Sequence, residues 1–573
     1  MPASEFADEL HAEKYRTQRE SFRESMSRVA GAVTGNQQRF QTFRDILLEQ
    51  RFLPGGRNQA ALGSTRNVTP YNCFVSGIIE DSFVDGAGSI MMRALEAAAT
   101  MRMGGGIGYD FSTLRPRGAL IKKLDSLSSG PVSFMDIFNA VCRCTASSGH
   151  RRGAQMGVLR VDHPDIEEFI HAKQNSNCEH CKSEGRLTGF NISVGVTDEF
   201  MLCVEQDKPF ELRWGGEVYR TIDARRLWDT IMRSTWDWAE PGVLFIDRLN
   251  EMNNLYYCET LTTTNPCGEQ PLPPFGACLL GSFNLVKYIE RTNYDSDWGF
   301  DWGQLRADIP VVVRAMDNVV DVATYPLFEQ EKEAKDKRRM GLGVTGVANA
   351  LEALGHPYGS DSFVFTLGNI LEFFRDECYR ASMELAKEKG SFPAFDRNAY
   401  IQSEFVKKLP SDLIASIARH GIRNSHLTSI APTGTISMCA DNVSSGIEPV
   451  MGFEVERVFQ TFDGPKTLKV YDYGKKFLGV EGRTVRDVTV DEHLVVLSCA
   501  TKYMDSAVSK TVNVPEDADW DTFKEVYTRA WKAGCKGITT YRLGGKREGI
   551  LKISEESSEM CKFDPDTGLR ECD

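Results

Sequence analysis

At 573 residues, with 41% hydrophobic and 26% charged content, the chain can bury one very large core or several ordinary ones, which excludes a disordered or fibrous protein. A net charge of −13 argues against a broad nucleic-acid or anionic-membrane surface, because such partners need clustered positive charge. The first residues are polar, and no apolar run approaches bilayer length, so the sequence predicts a cytoplasmic protein without a secretory leader or membrane span.

Residues 1–53 carry apolar positions (Phe22, Val29, Phe40, Phe43, Ile46, Leu47) spaced among charges, which predicts a short helical N-terminal region attached to a larger core. From 54 to 547, helical stretches such as DIFNAVCRC and GVANALEALG alternate with apolar or glycine-rich segments such as GGGIGYDF and LTGFNISVGV. That alternation predicts α/β architecture. Residues 548–573 hold much charge and few apolar groups and read as a mobile tail. The 15 cysteines, an odd number with no secretory leader, do not form a disulfide framework. Cys203, Cys258, Cys378, Cys439, Cys499 and Cys535 are read as small buried apolar residues.

Three motifs invite misreading. Gly341-Leu-Gly343-Val-Thr-Gly346 fits a dinucleotide fingerprint, but the preceding EKEAKDKRRM is too charged for the buried strand that motif requires. Close packing at the start of the helix VANALEALG is the favoured reading, and a nicotinamide dehydrogenase the weaker one. Cys178-Glu-His-Cys181, with Cys142 and Cys144, offers four thiolates to zinc, but the spacing is not that of a standard ribbon and the site residues are assigned without a metal. Asp491-Glu-His493 lacks the glycine of the motif in which histidine replaces the lower ligand of cobalamin.

The informative segment is Thr264-Asn265-Pro266-Cys267-Gly268-Glu269-Gln270, followed closely by Cys278. Its prolines exclude a helix or central strand, which predicts an irregular loop. In extended backbone Cys267 and Glu269 project to one side, and Gly268 leaves room for a ligand against the main chain. Asn265-Pro-Cys267-Gly-Glu269, Cys278 and GSFNL resemble the active-site finger loop of ribonucleotide reductases. Other segments resemble the same family in chain order: PYNCFVSGIIEDSF, MGGGIGYDFSTLRPRG, the effector helix and specificity loop from SGPVSFMDIFNAV to RVDHPDIEEFI, RRMGLGVTGVANAL, IAPTGTIS and AGCKGITTYR.

The resemblance implies a ten-stranded α/β barrel of two parallel half-sheets around a central finger loop. It implies that Cys267 carries a thiyl radical that takes hydrogen from carbon 3′ of a ribonucleotide. Glu269 acts as general base, Asn265 orients the sugar, and Cys73 with Cys278 supply reducing equivalents and close to a disulfide. It further assigns substrate contacts to Asn72 and to the turn Thr433-Gly434-Thr435-Ile436, effector contacts to Asp81, Arg151 and Arg152, and a disulfide-reducing tail to Cys561 and Cys572. A thioredoxin- or glutaredoxin-like reductant, a deoxynucleotide or ATP effector and a homodimer are the implied partners. Whether substrate is a diphosphate or a triphosphate stays open.

Class I relatives receive their radical through adjacent tyrosines, whereas Gly537-Ile538-Thr539-Thr540-Tyr541-Arg542 has one tyrosine. The tail lacks the Arg-x-x-Gly-Tyr motif of glycyl-radical enzymes. The resemblance is therefore closest to class II, with adenosylcobalamin as cofactor; the alternative is a class I large subunit needing a separate metal-radical subunit. The stretch before Pro54 is too short for the separate ATP-binding activity domain of many relatives, which predicts specificity control without an on/off switch.

Overall fold

The computed structural model describes the chain except residues 18, 148–150, 153, 175–185, 293–297, 462–463, 543 and 546–573. Three helices open it: α1 (Glu5–Tyr15), α2 (Phe22–Val33) and α3 (Gln37–Leu48). Each starts at a side-chain cap. Ser4 and Asn36 accept from Ala7 and Arg39 N–H, and Ser21 with Glu24 forms a reciprocal capping box. Their apolar faces join the barrel's own core, which runs without a break from Phe6 to Ile538. Asn318 Nδ2 also donates to Val33 O at 2.6 Å.

Ten strands form the main sheet: β1 (Phe52–Pro54), β2 (Cys73–Val75), β3 (Gly106–Asp110), β4 (Gln155–Arg160), β5 (Phe190–Val196), β6 (Gly242–Phe245), β7 (Ala277–Asn284), β8 (Met340–Thr345), β9 (Thr511–Val514) and β10 (Gly537–Arg542). Strands β2 to β6 run parallel in chain order. β7 pairs parallel with β8, and β9 with β10. The two groups meet antiparallel at β2–β7 and at β6–β10.

The stretch Leu427–Ile430 closes the circuit. It bridges β8 in parallel at Leu342–Thr428, and it bridges the residues leading into β9 at Ile430–Val508. The bonds Ser429 N–H to Leu342 O at 2.9 Å and Ser509 N–H to Ile430 O at 2.8 Å complete the link. The result is a barrel of two half-sheets, each parallel within itself, with Leu427–Ile430 as a barrel strand. β1 lies outside the circuit, antiparallel along the same edge of β7 that also meets β2.

Barrel strands buried on both faces read as apolar runs broken by glycine, and here the glycines are steric necessities. A Cβ at Gly108 would sit 1.8 Å from Thr264 O, and one at Gly343 2.1 Å from Ser429 O. This revises the reading of Gly341-Leu-Gly343. Those glycines do serve close packing, but inside β8, before the helix Val347–Ala353; the charged run ahead of them is the helix Phe328–Lys337. Of the cysteines expected in the core, Cys258 is exposed and Cys203 half-buried, while the other four are buried. Among the described residues, no helix is long and apolar enough to cross a membrane.

Candidate active site

Thr263–Thr264 pairs antiparallel with Pro271–Leu272, so the loop between them is a narrow hairpin. Its tip is a tight turn: Gly268 N–H donates to Asn265 O at 3.1 Å, and Gly268 has φ 83°, a conformation that favours glycine. The barrel grips the loop from several sides. Thr263 Oγ1 donates to Tyr109 O in β3 at 3.2 Å, Asn191 Nδ2 in β5 to Pro266 O at 2.9 Å, and Ala507 N–H to Glu269 O at 2.9 Å. The loop therefore threads the barrel's centre. Gly108→Ala is expected to push its base aside and cost about a hundredfold in turnover, since displacements near 1 Å have that effect. Full activity in that variant, measured beside a circular-dichroism check of fold, would contradict the tight approach.

The tip presents its two functional groups differently. Cys267 is exposed, and a Cβ at neighbouring Gly268 would meet nothing within 4 Å. Glu269 is buried, and the turn at Gly268 means that the backbone joining it to Cys267 is not extended. Asn265 Nδ2 donates to Cys73 Sγ at 3.1 Å, and its Oδ1 accepts Gln270 N–H at 2.9 Å, fixing the turn. The Cys73 thiol lies 3.7 Å from Glu269 Oε1, and Oε2 is buried without a hydrogen-bond partner among the described residues.

Cys73 and Cys278 stand directly opposite in the β2–β7 ladder. Opposed antiparallel residues lie about 4.5–5.5 Å apart at Cα, inside the roughly 4.4–6.8 Å a disulfide spans. Burial drives both thiols well above the ordinary cysteine range, and the nearby Glu269 carboxylate pushes Cys73 up further. Burial also raises Glu269, against hydrogen bonds from Asn265 and Cys73 that favour its charged form.

Asn72 precedes β2, and its Oδ1 is buried without a hydrogen-bond partner among the described residues. Thr433, at φ 56°, opens the short helix Gly434–Met438 that carries Thr435 and Ile436; its Oγ1 accepts Gly446 N–H at 2.7 Å and pairs with Thr345 Oγ1 at 2.9 Å. Asp81 takes Arg115 N–H at 3.0 Å and Arg115 Nε at 2.6 Å. The Arg151–Arg152 backbone pairs with Ala146–Ser147 just after the helix α4 (Pro131–Cys144). Cys561 and Cys572 lie outside the described residues, as do Cys178 and Cys181. His493 is fully buried, and neither ring nitrogen has a hydrogen-bond partner among the described residues; burial lowers its pKa to about 2, and it is not open to an external ligand.

Sequence reasoning missed a buried charged group at the start of β8, the strand next to Cys278. The Arg339 guanidinium contacts Glu259, lies 3.5 Å from Glu333 Oε1 and meets His426 Nδ1 at 3.1 Å. Its only sequence signal was an arginine placed immediately before an apolar, glycine-rich run.

A cysteine-tipped loop held inside an α/β barrel, beside a cross-strand cysteine pair and a buried carboxyl, defines a thiol-based redox enzyme. The chain belongs to the ribonucleotide reductase family: residues 71–462 and 481–541 match the ribonucleotide reductase barrel domain. It is 33% identical, over 97% of its length and 79% of the relative's, to a vitamin B12-dependent ribonucleoside-diphosphate reductase of Mycobacterium tuberculosis. A protein of the same description from Thermoplasma acidophilum is 32% identical, over 93% of this chain and 68% of that one. A vitamin B12-dependent ribonucleotide reductase of Rhodopirellula baltica is 27% identical over 85% of this chain and 54% of its own.

Proposed function

We propose that this chain reduces ribonucleoside diphosphates to 2′-deoxyribonucleotides with adenosylcobalamin as radical source. The observation that carries the reading is the exposed Cys267 at the tip of a loop whose buried Glu269 touches the Cys73 side of a cross-strand pair. Relatives named as vitamin B12-dependent diphosphate reductases support the cofactor and the substrate, and do not favour the class I alternative. The tip is open beside the thiol, since a Cβ at Gly268 would meet nothing within 4 Å, so a group bound there would approach Cys267 unobstructed by this residue. When bound, adenosylcobalamin supplies by homolysis the radical that draws the hydrogen atom from Cys267.

Cys267 then takes hydrogen from carbon 3′, and Glu269 accepts the 3′-hydroxyl proton. Cys73 gives a proton to the departing 2′-hydroxyl. Cys73 and Cys278 provide two electrons and close to a disulfide, the second thiol hydrogen forms the new bond at carbon 2′, Glu269 gives its proton back to the 3′-oxygen, and Cys267 returns hydrogen to carbon 3′. Asn265 holds Cys73 and the turn, and orients the sugar; Asn72 and the backbone of Thr433–Ile436 receive sugar and phosphate. Cys561 and Cys572 relay electrons from a thioredoxin- or glutaredoxin-like reductant to the buried disulfide. A cytoplasmic location suits chemistry that needs reduced thiols. Purified chain given CDP, effector and dithiothreitol is expected to form dCDP only with adenosylcobalamin; formation only after adding a metal-radical subunit would sink the cofactor assignment.

Effector binds at Asp81, Arg151 and Arg152, next to a surface that fits a homodimer. Phe83, Val84, Met91, Met92 and Leu95 expose apolar side chains around the helix Ile90–Arg102, Leu95 at 65%, and clustered exposed apolar groups mark interaction surfaces. Light scattering is expected to report a dimer that Leu95→Glu converts to monomer. A wild-type monomer at micromolar concentration with effector present would remove this surface from consideration.

A further inference from the structure

We infer that Arg339 makes Cys278 the leaving sulfur when the Cys73–Cys278 disulfide is reduced, so that an incoming dithiol attacks Cys73. The inference rests on the reductase reading above, and it concerns the step that regenerates the enzyme.

β8 runs parallel to β7 with Met340 opposite Leu279, so one residue back sets Arg339 opposite Cys278. On the other side of β7, Cys73 stands opposite Cys278. Opposed residues share a face of a sheet, and neighbouring strands lie about 4.8 Å apart. Cys73, Cys278 and Arg339 thus form a row across three strands, with Cys278 in the middle and the guanidinium on one side of it only.

The guanidinium is fixed there. Arg339 is 2% exposed, braced by Glu259, Glu333 and His426, and its Nε has no hydrogen-bond partner among the described residues. Cys73 has a different environment: Glu269 Oε1 at 3.7 Å and the Asn265 amide at 3.1 Å. After burial, the largest influence on Cys278 is Arg339, which favours its thiolate; Asp505, Glu269 and Glu333 oppose it. After burial, the largest influence on Cys73 is Glu269, which opposes the thiolate, as do Cys278 and Cys267; the Asn265 hydrogen bond favours it but ranks behind all of these. A sulfur leaves faster when its thiolate is better stabilised, so the asymmetry sets the direction of cleavage.

The step balances. A thiolate of the dithiol bonds to the Cys73 sulfur, the Cys73–Cys278 bond breaks, and Cys278 departs with the electron pair, facing Arg339. The second thiol of the dithiol loses its proton and displaces Cys73, closing a disulfide in the reductant. Cys73 and Cys278 each take up a proton, so two electrons and two protons pass to the pair.

The test needs no substrate or cofactor. Wild-type chain is oxidised with diamide, exposed briefly to 2-mercaptoethanol, quenched with acid, alkylated and mapped by peptide mass spectrometry. The adduct is expected on Cys73; an adduct on Cys278, or no Cys73–Cys278 disulfide after diamide, overturns the inference. In parallel, Arg339→Gln is expected to slow dithiothreitol reduction of that disulfide about tenfold, from loss of a charge that moves a neighbouring pKa by a unit or more. Arg339→Lys is expected to restore most of the rate, and equal rates in wild type and Arg339→Gln also overturn the inference. A chain that shows the Cys73 adduct but forms no deoxynucleotide would sink the reductase reading and leave the attack order standing.

Discussion

Replacing Cys267 with serine is expected to lower deoxynucleotide formation by about a thousandfold or more, the scale seen when a reacting group is removed outright. A hydroxyl holds its hydrogen too strongly to exchange it with a carbon-centred radical, so no other group on the loop substitutes for the thiol. Because Cys267 is exposed at a turn, the change costs little stability, within about 0.5 kcal/mol for such positions. Product chromatography and a thermal melt on the same preparation separate loss of chemistry from loss of fold. Cys278→Ser differs in kind: it keeps the hydrogen-abstracting thiol but removes one of two electron sources, so catalytic turnover stops for want of a disulfide partner. If Cys267→Ser kept multiple-turnover activity, the role assigned to the loop tip would be wrong.

The loop was legible because its chemistry is written locally. Prolines at 266, 271, 273 and 274 exclude a helix or central strand, leaving a short hairpin, and Asn265, Cys267 and Glu269 sit within one short motif. The alternation of helical and glycine-rich segments likewise marked the α/β barrel, since helix and strand periodicities are local properties. What the sequence hid depends on pairings between distant segments. That Cys73 faces Cys278 was implied by the family resemblance alone; its physical cause is the β2–β7 register, and nothing near either cysteine encodes it. Leu427–Ile430 reads as a loop before a proline-threonine-glycine turn, yet it closes the barrel because β8 and the approach to β9 leave it unpaired edges on both sides.

Arg339 shows the same limit more sharply. It ends a charged run that was read for what it could not be, a buried Rossmann strand, and most of that run is a helix that ends at Lys337. Only the fold reveals that its last arginine turns inward, where Glu259 and Glu333 compensate its charge. The glycines were legible as close-packing residues but not located. Gly106 and Gly108 in β3, and Gly341 and Gly343 in β8, are required by a loop and a strand that arrive from elsewhere in the chain. Between Cys267 and Glu269 the backbone is not extended, for a local reason: Gly268 at φ 83° turns it.

Glu269→Gln is expected to reduce kcat by about 10²–10⁴-fold, the usual contribution of a positioned general base, while stabilising the folded chain at high pH. Burial raises the Glu269 carboxyl above its ordinary value of 4.5, so folded protein holds a proton that unfolded chain releases. The stability this group contributes is fully present below the unfolded value and is lost as pH rises through the folded one. Glutamine is neutral throughout and suffers no such loss, so the Tm of Glu269→Gln relative to wild type should increase between pH 4 and pH 8. Activity moves the opposite way in wild type: the base must be ionised, and the rate climbs with pH across the raised pKa, a limb the variant lacks. Thermal melts at both pH values, set beside the two pH–rate profiles, test the cause as well as the role. A Tm difference independent of pH would mean that Glu269 is not held as a costly buried carboxylate, and the account of its perturbation would fail even if activity were lost.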